Sequence, residues 1–466
     1  MANIIFNKLK TALHSAQPGS FLEVLRVATP LVLSTSSLTL TLFVDRMFLS
    51  WQSLEAVAAV TPGGITYFTI CCFFQGVAQY VNTLVAQSHG AGNKRRVSRS
   101  VWQGVIFALL AIPVMIACIP LGVFVLESTG HDPAIMQLEI EYFSILMLGG
   151  LTLPLGAALS SFFSGRGKTS VVLVGNLAGN ILNIVMDYVL IFGKHGFPEM
   201  GIRGAAIATS VSNVIPLCYW AYLFLSEKYQ PVYNTRREFY WDRKLFFSLM
   251  KFGIPSGAQF ILDIGSFTAF VLIVGKLGVS DLAVTNIALS IESLSFLPMV
   301  GISIATSTLV GEYIGQQKAH IAQKCVSAAL TMSIIYSGSL AVIFWVAPQY
   351  LLEIFRSARD TGFDCEAFFS RGCFVVRLIG LYTVFDTIFI VYTGALKGAG
   401  DTRFAMWAQV LIAWIFFVPP VYLMITHFNL GLYAAWGWLV VYVIIIAIIF
   451  HLRFRSGYWK TIRIIS

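Results

Sequence analysis

Charge is what this sequence has least of. Of its 466 residues, 11% are Asp, Glu, Lys or Arg and 57% are hydrophobic, whereas soluble domains carry about 25% charge. That excludes a soluble globular protein. No G-x-x-x-x-G-K-[ST] phosphate loop is present and the polar segments are short, so an ATPase domain is excluded as well. Seven cysteines make no framework: Cys71, Cys72, Cys118 and Cys218 fall in apolar runs and read as small packing residues. Cys365 and Cys373 flank one loop and could form a disulfide, though free thiols are the expectation. None of the seven histidines forms a metal-ligand pair on a helix, so no metal site is expected beyond Na⁺. No small-residue cleavage site follows the first apolar run, which therefore reads as a retained span.

What the chain does have is apolar runs of roughly 20 residues along its whole length, the mark of a polytopic α-helical membrane protein. Twelve spans are expected, at 21–49, 55–87, 101–125, 138–163, 170–192, 204–226, 246–275, 281–313, 325–347, 372–396, 404–426 and 432–452. The net charge of +9 reads as membrane orientation, not nucleic-acid binding, because the basic residues lie in the short inter-span loops. Twenty-one lysines and arginines fall on the side of the termini; only Lys194, Arg203, Lys276, Arg356, Arg359 and Arg371 fall on the other. By the positive-inside rule both termini are cytoplasmic, in a cell (inner or plasma) membrane.

The sequence repeats itself. "LEVLRVATP" (22–30) matches "FSLMKFGIP" (247–255), and at the same offset "GVAQYVNTLVAQSHG" (76–90) matches "GISIATSTLVGEYIG" (301–315). "SGRGKT" (164–169) matches "KGAGDT" (397–402), and "GIRGAA" (201–206) resembles "GLYAAW" (431–436). Six spans per copy is an even number, so the copies are parallel repeats about an axis along the membrane normal. The expected organisation is two six-helix lobes, 1–238 and 239–466. Pro30 and Pro255 are matched and are candidate hinges.

Acids inside spans are costly and mark function. Asp45 lies 19 residues beyond Arg26, and Asp187 lies 19 beyond Lys168. At ~1.5 Å per residue both stand roughly 28 Å from the cytoplasmic edge, with Asn183 one turn below Asp187. In the second half Asp263, Glu292 and Asp386 come out near ~17 Å, close to mid-membrane, with Tyr382 one turn from Asp386. Carboxylates gathered there need protons or a cation such as Na⁺. "GAGD" (398–401) has the spelling of intramembrane aspartyl proteases, but Asp401 lies in a loop and its repeat counterpart is Lys168. A catalytic acid is not expected there.

These residues together resemble the multidrug and toxic compound extrusion (MATE) family. The markers are Pro30 and Asp45, "TLVAQSHGAGNKRR", "GRGKTS…N…N…D", "GFPEMGIRGAAIAT", "GIPSGAQFILD" and "YTVFD…GALKGAGDTR". The resemblance covers nearly the whole chain. It implies a monomeric two-lobe antiporter, not an enzyme, that exports cationic amphiphilic drugs as Na⁺ or H⁺ enters, with no cofactor. By motif match Asp45, Asn183 and Asp187 resemble a first-lobe coupling site lined by Tyr142 and Thr209. Asp263, Tyr382 and Asp386 resemble a second-lobe cation site, with aspartate at 263 where many relatives carry glutamate. Arg46, beside Asp45, is unusual and could neutralise it. The alternatives are a flippase for lipid-linked saccharides, which would favour an arginine-rich cavity, and the protease set aside above.

Overall fold

The computed structural model describes residues 17–128, 131–353 and 365–464. Among these, twelve helices are long and apolar enough to cross a membrane. They are α1 (Phe21–Gln52), α2 (Ala58–Gly90), α3 (Lys94–Glu127), α4 (Pro133–Ser164), α5 (Thr169–Ile191), α6 (Gly201–Phe224), α7 (Arg243–Leu277), α8 (Ser280–Gly315), α9 (Ala319–Val346), α10 (Phe368–Ala399), α11 (Thr402–Thr426) and α12 (Leu432–Arg455). The protein is thus an all-helical, multi-pass membrane protein, as expected. Arg356 and Arg359 and the Cys365 side chain lie outside the described residues, and the Cys365–Cys373 pairing with them.

Several helices outrun their apolar stretches, because polar caps set their ends and hydropathy does not register caps. α3 starts at Lys94, not 101, where the Asn93 side chain accepts from Arg96 N at 3.1 Å. α4 starts at Pro133, not 138: Asp132 caps it by accepting from Ala134 N at 2.9 Å, and proline follows at the first helical position. α10 runs on to Ala399, so Lys397 sits in its last turn instead of in a loop. Helices α1 and α7 continue through Pro30 and Pro255.

α11 carries a π-helical turn at Ile412–Phe417, ahead of Pro419 and Pro420. Pro420 has no N–H for the Phe416 carbonyl four residues back. The Trp438 indole supplies that donor, at 3.1 Å.

The described chain falls into two compact units. One holds Leu33–Ile261 with Gly311–Gln317; the other holds the chain up to Val32, Leu262–Val310 and Lys318–Arg463. The crossings at 32/33 and 261/262 fall shortly after Pro30 and Pro255. The last turn of α8 joins the first unit because Gly90 and Gly315, matched at the repeat offset, press against the Glu312 and Gln87 carbonyls, where a Cβ would collide. Many apolar side chains stay uncovered by protein, among them Phe43, Leu110, Phe124 and Ile181. Lipid is as good a solvent for them as the interior.

The polar connection 227–242 is tied down within the first unit. Trp102 donates to Thr235 O at 2.7 Å, Gln103 to Tyr240 O at 2.9 Å, and Arg99 pairs with buried Glu238 at 2.5 Å.

Candidate functional site

Two clusters of buried acids stand out, one in each unit. The first is built on α1 and α5, which run in the same direction. Polar residues recur on α1 at Ser34, Ser37, Thr41 and Asp45, and on α5 at Asn176, Asn180, Asn183 and Asp187. Both series step by three or four residues and so keep to one helix face. Asn176 Nδ2 donates to Ser34 Oγ at 2.6 Å, and Asn180 Nδ2 to Ser37 Oγ at 2.8 Å. Since both helices rise equally per residue, the register that pairs 34 with 176 brings Asp45 level with Asp187.

Both carboxylates are buried, and each acts electrostatically on the other. With its amide turned so that oxygen meets a donor, Asn183 donates to Asp187 Oδ2 at 3.2 Å and accepts from Thr209 N on α6 at 3.3 Å. Asp45 Oδ1 and Asp187 Oδ1 have no hydrogen-bond partner. Buried oxygens without donors are costly and call for an occupant. Tyr142 on α4 is buried beside both acids. Its ring reaches them because α2 offers glycine opposite: a Cβ on Gly63 would stand 3.3 Å from Tyr142 Cδ1. Arg46 is exposed and makes no ion pair with Asp45, although its charge acts on that carboxylate. All five first-half residues singled out by sequence, Asp45, Tyr142, Asn183, Asp187 and Thr209, therefore converge. Ser34, Ser37, Asn176 and Asn180 were missed; their three-and-four spacing was the available signal.

The second cluster draws on α7, α8, α10, α11 and α12. Asp263 Oδ1 accepts from Gln409 Nε2 at 2.8 Å, and the same amide reaches Tyr442 OH at 3.2 Å. Asp386 is near enough to both Glu292 and Asp263 to feel their charges. The Tyr382 hydroxyl is next to Glu292 without closing a hydrogen bond of ordinary geometry. Lys397, largely buried at the end of α10, acts electrostatically on Asp263. The four residues expected here converge, joined by Gln409, Tyr442 and Lys397, which were missed. Among the described residues no three His, Cys, Asp or Glu side chains gather closely enough to hold a metal ion.

Pro30 sits one turn before Ser34 on α1, and Pro255 two turns before Asp263 on α7. The G-x-G-D acid is committed elsewhere: both Asp401 oxygens are taken by the Arg453 guanidinium, at 2.7 and 3.3 Å.

A sequence profile of the family described as MatE matches residues 30–189 and again 255–423. The chain belongs to the MATE family. The two matches begin at Pro30 and Pro255, in agreement with the repeat offset read from the sequence. A probable multidrug resistance protein NorM of Thermotoga maritima is 28% identical over 428 residues, spanning 89% of this chain and 88% of that one. Multidrug resistance protein NorM of Burkholderia vietnamiensis is 27% identical, with 92% of each chain covered. Among solved structures, an outward-facing MATE family transporter of the MOP superfamily superposes with a TM-score of 0.87 at 20% identity, over 97% of this chain and 98% of that one. The fold is the MATE fold, and this MATE protein is a membrane transporter, not an enzyme.

Proposed function

We propose that the protein is a secondary antiporter that exports cationic amphiphilic molecules in exchange for H⁺ or Na⁺, with the Asp45–Asp187 pair as its proton carrier. One observation carries this reading: two buried carboxylates held level by the Asn176–Ser34 and Asn180–Ser37 bonds, each with an oxygen that has no donor. Two such groups repel one another in a medium of low dielectric. One proton between them supplies a donor and removes a charge, and a cationic substrate does the same by its own charge. The two occupants therefore compete, and competition at one site is what antiport requires. The names of the relatives, multidrug resistance proteins, support drug-like cargo. A positively charged cargo fits walls that supply carboxylates rather than arginines, which disfavours a pyrophosphate-linked lipid.

Transport proceeds by alternating access of two six-span lobes, 1–238 and 239–466, with Pro30 and Pro255 as the points where α1 and α7 flex. The protein works as a monomer in the cell membrane with both termini cytoplasmic. Asp263, Glu292, Tyr382 and Asp386 form a second cation site. Each tenfold ion gradient contributes ~1.4 kcal/mol, and each charge crossing ~100 mV contributes ~2.3 kcal/mol, enough to drive steep export. The test is purified protein in liposomes. A cationic dye should be taken up or expelled with opposite movement of H⁺ or Na⁺; a dye flux that ignores both gradients would refute the antiport.

A further inference from the structure

A third acid lies in the first unit, outside the cluster already described. Glu139, on the second turn of α4, has no exposed surface. One of its oxygens is bound by His131, whose Nδ1 lies 2.7 Å from Glu139 Oε1. The other, Oε2, is buried without a partner. His131 itself is exposed, on the side of the protein away from the basic loops. A buried carboxylate bonded to an exposed imidazole, with its second oxygen free of donors, is placed to pass a proton from the surface inward.

The surroundings give the direction. Tyr142 follows Glu139 by three residues and so lies one turn along the same face of α4. Both pack on Gly63: a Cβ there would stand 3.0 Å from the Glu139 carbonyl and 3.3 Å from the Tyr142 ring. Tyr142 in turn lies within electrostatic reach of Asp45 and Asp187. Ionisable groups on the helices packed here include Glu55 ahead of α2, Tyr67, Cys71 and Cys72 on α2, Cys118 and Glu127 on α3, Glu141 on α4 itself and Arg203 on α6. Arg203 is bound to Glu141, which points its charge elsewhere. His131 is the ionisable group bonded to Glu139.

We infer that His131 and Glu139 form a proton-loading relay from the surface, through Tyr142, to the Asp45–Asp187 pair. This rests on the proton-carrier reading above. A proton from water adds to the exposed Nε2 of His131. The imidazolium gives its Nδ1 proton to Glu139 Oε1 and returns to neutral. The neutral Glu139 carboxyl turns its protonated oxygen away from His131 and passes the proton through a bridging water to the Tyr142 hydroxyl, which releases its own to Asp187 or Asp45. Glu139 is again a carboxylate, and one proton has entered for one delivered.

The experiment uses full-length protein in liposomes with a trapped pH dye and a cationic dye as substrate, comparing initial proton flux with the total exchanged. His131→Ala and Glu139→Gln should each slow the initial flux about tenfold or more, with the total exchanged per dye molecule and the dye affinity unchanged. Added imidazole should restore the rate of His131→Ala and not that of Glu139→Gln; a merely structural role would show no such rescue. His131 is at the surface, so its variant tests the relay even if Glu139→Gln folds poorly. Initial rates within twofold of wild type, beside an Asp187→Asn variant that exchanges nothing, would overturn the relay and leave the carrier standing. A wild-type protein that moves no protons with dye would overturn both.

Discussion

In the first unit Asp187 is bonded to the Asn183 amide and both acids lie beside Tyr142, while Arg46, the cation whose charge acts on Asp45, is itself exposed. In the second, Asp263 is bound by the Gln409 amide and lies under the charge of Lys397, while Glu292 and Asp386 add two more acids. Leaving out the exposed Arg46, if every group is charged, the sums are the same: two acids in one, three acids and a lysine in the other. What differs is where the compensation comes from. The cation of the second cluster, Lys397 on α10, is largely buried with its acid, whereas Arg46 beside the first cluster is exposed and its charge is weakened by solvent. An unsatisfied cluster exchanges occupants readily; a partly self-compensated one holds its state. On the proposed mechanism, the first cluster is the one whose occupant should change during transport.

The largest effect should follow removal of one acid from the first cluster. Asp187→Asn should reduce dye-coupled proton flux in liposomes by about 100-fold or more, a loss of about 2.7 kcal/mol or more in the transition state. Dye binding measured by fluorescence should weaken as well, because half of the attracting charge is gone.

Next in size, the lysine of the second cluster should become visible only when its acid is removed. Asp263→Asn removes the acid whose charge acts on Lys397 and should cut transport about tenfold. Lys397→Gln in the same background should recover most of that loss. The coupling energy of the double-mutant cycle should fall at about 1–3 kcal/mol; additive losses would show that the lysine plays no part in the cluster.

Gly63→Val should come third. Its side chain must push against the Glu139 carbonyl and the Tyr142 ring, 3.0 and 3.3 Å from a Cβ, at a cost of about 1–3 kcal/mol. Thermal unfolding in detergent should drop, and transport should fall more than with Gly437→Val, where nothing lies within 4 Å of the added Cβ. The smallest effect belongs to the bonds that set the register. Asn176→Ala and Ser34→Ala should each cost about 0.6 kcal/mol, and the double variant should cost no more than either single one.

The contrast between the clusters was only half legible in the sequence. Asp45 and Asp187 could be paired beforehand because a helix climbs at a fixed rise per residue, so distances from Arg26 and Lys168 translate into depth. The same arithmetic brought Asp263, Glu292 and Asp386 together. The neutral partners were not legible, since serine and asparagine in apolar helices are common and only their bonds reveal Ser34–Asn176 as a rail. Gln409 carries no charge to attract notice. Lys397 was taken for a loop charge, because nothing in its neighbours shows that α10 continues to Ala399. Arg46 had the opposite history: adjacent in sequence, it looked like a partner for Asp45, but consecutive residues on a helix point about 100° apart. Glu139 escaped because capping by Asp132 starts α4 earlier than hydropathy suggests, which turns an apparent span edge into buried helix.

The central claim is that a proton and a cationic substrate compete for Asp45 and Asp187. The most direct measurement is calorimetric titration of the purified protein with a cationic dye, repeated in buffers of different ionisation enthalpy, which counts the protons released per dye bound. The account predicts release of about one proton from the wild type and none from Asp187→Asn. Equal release from both proteins, or none from the wild type at a pH where coupled transport is active, would contradict it.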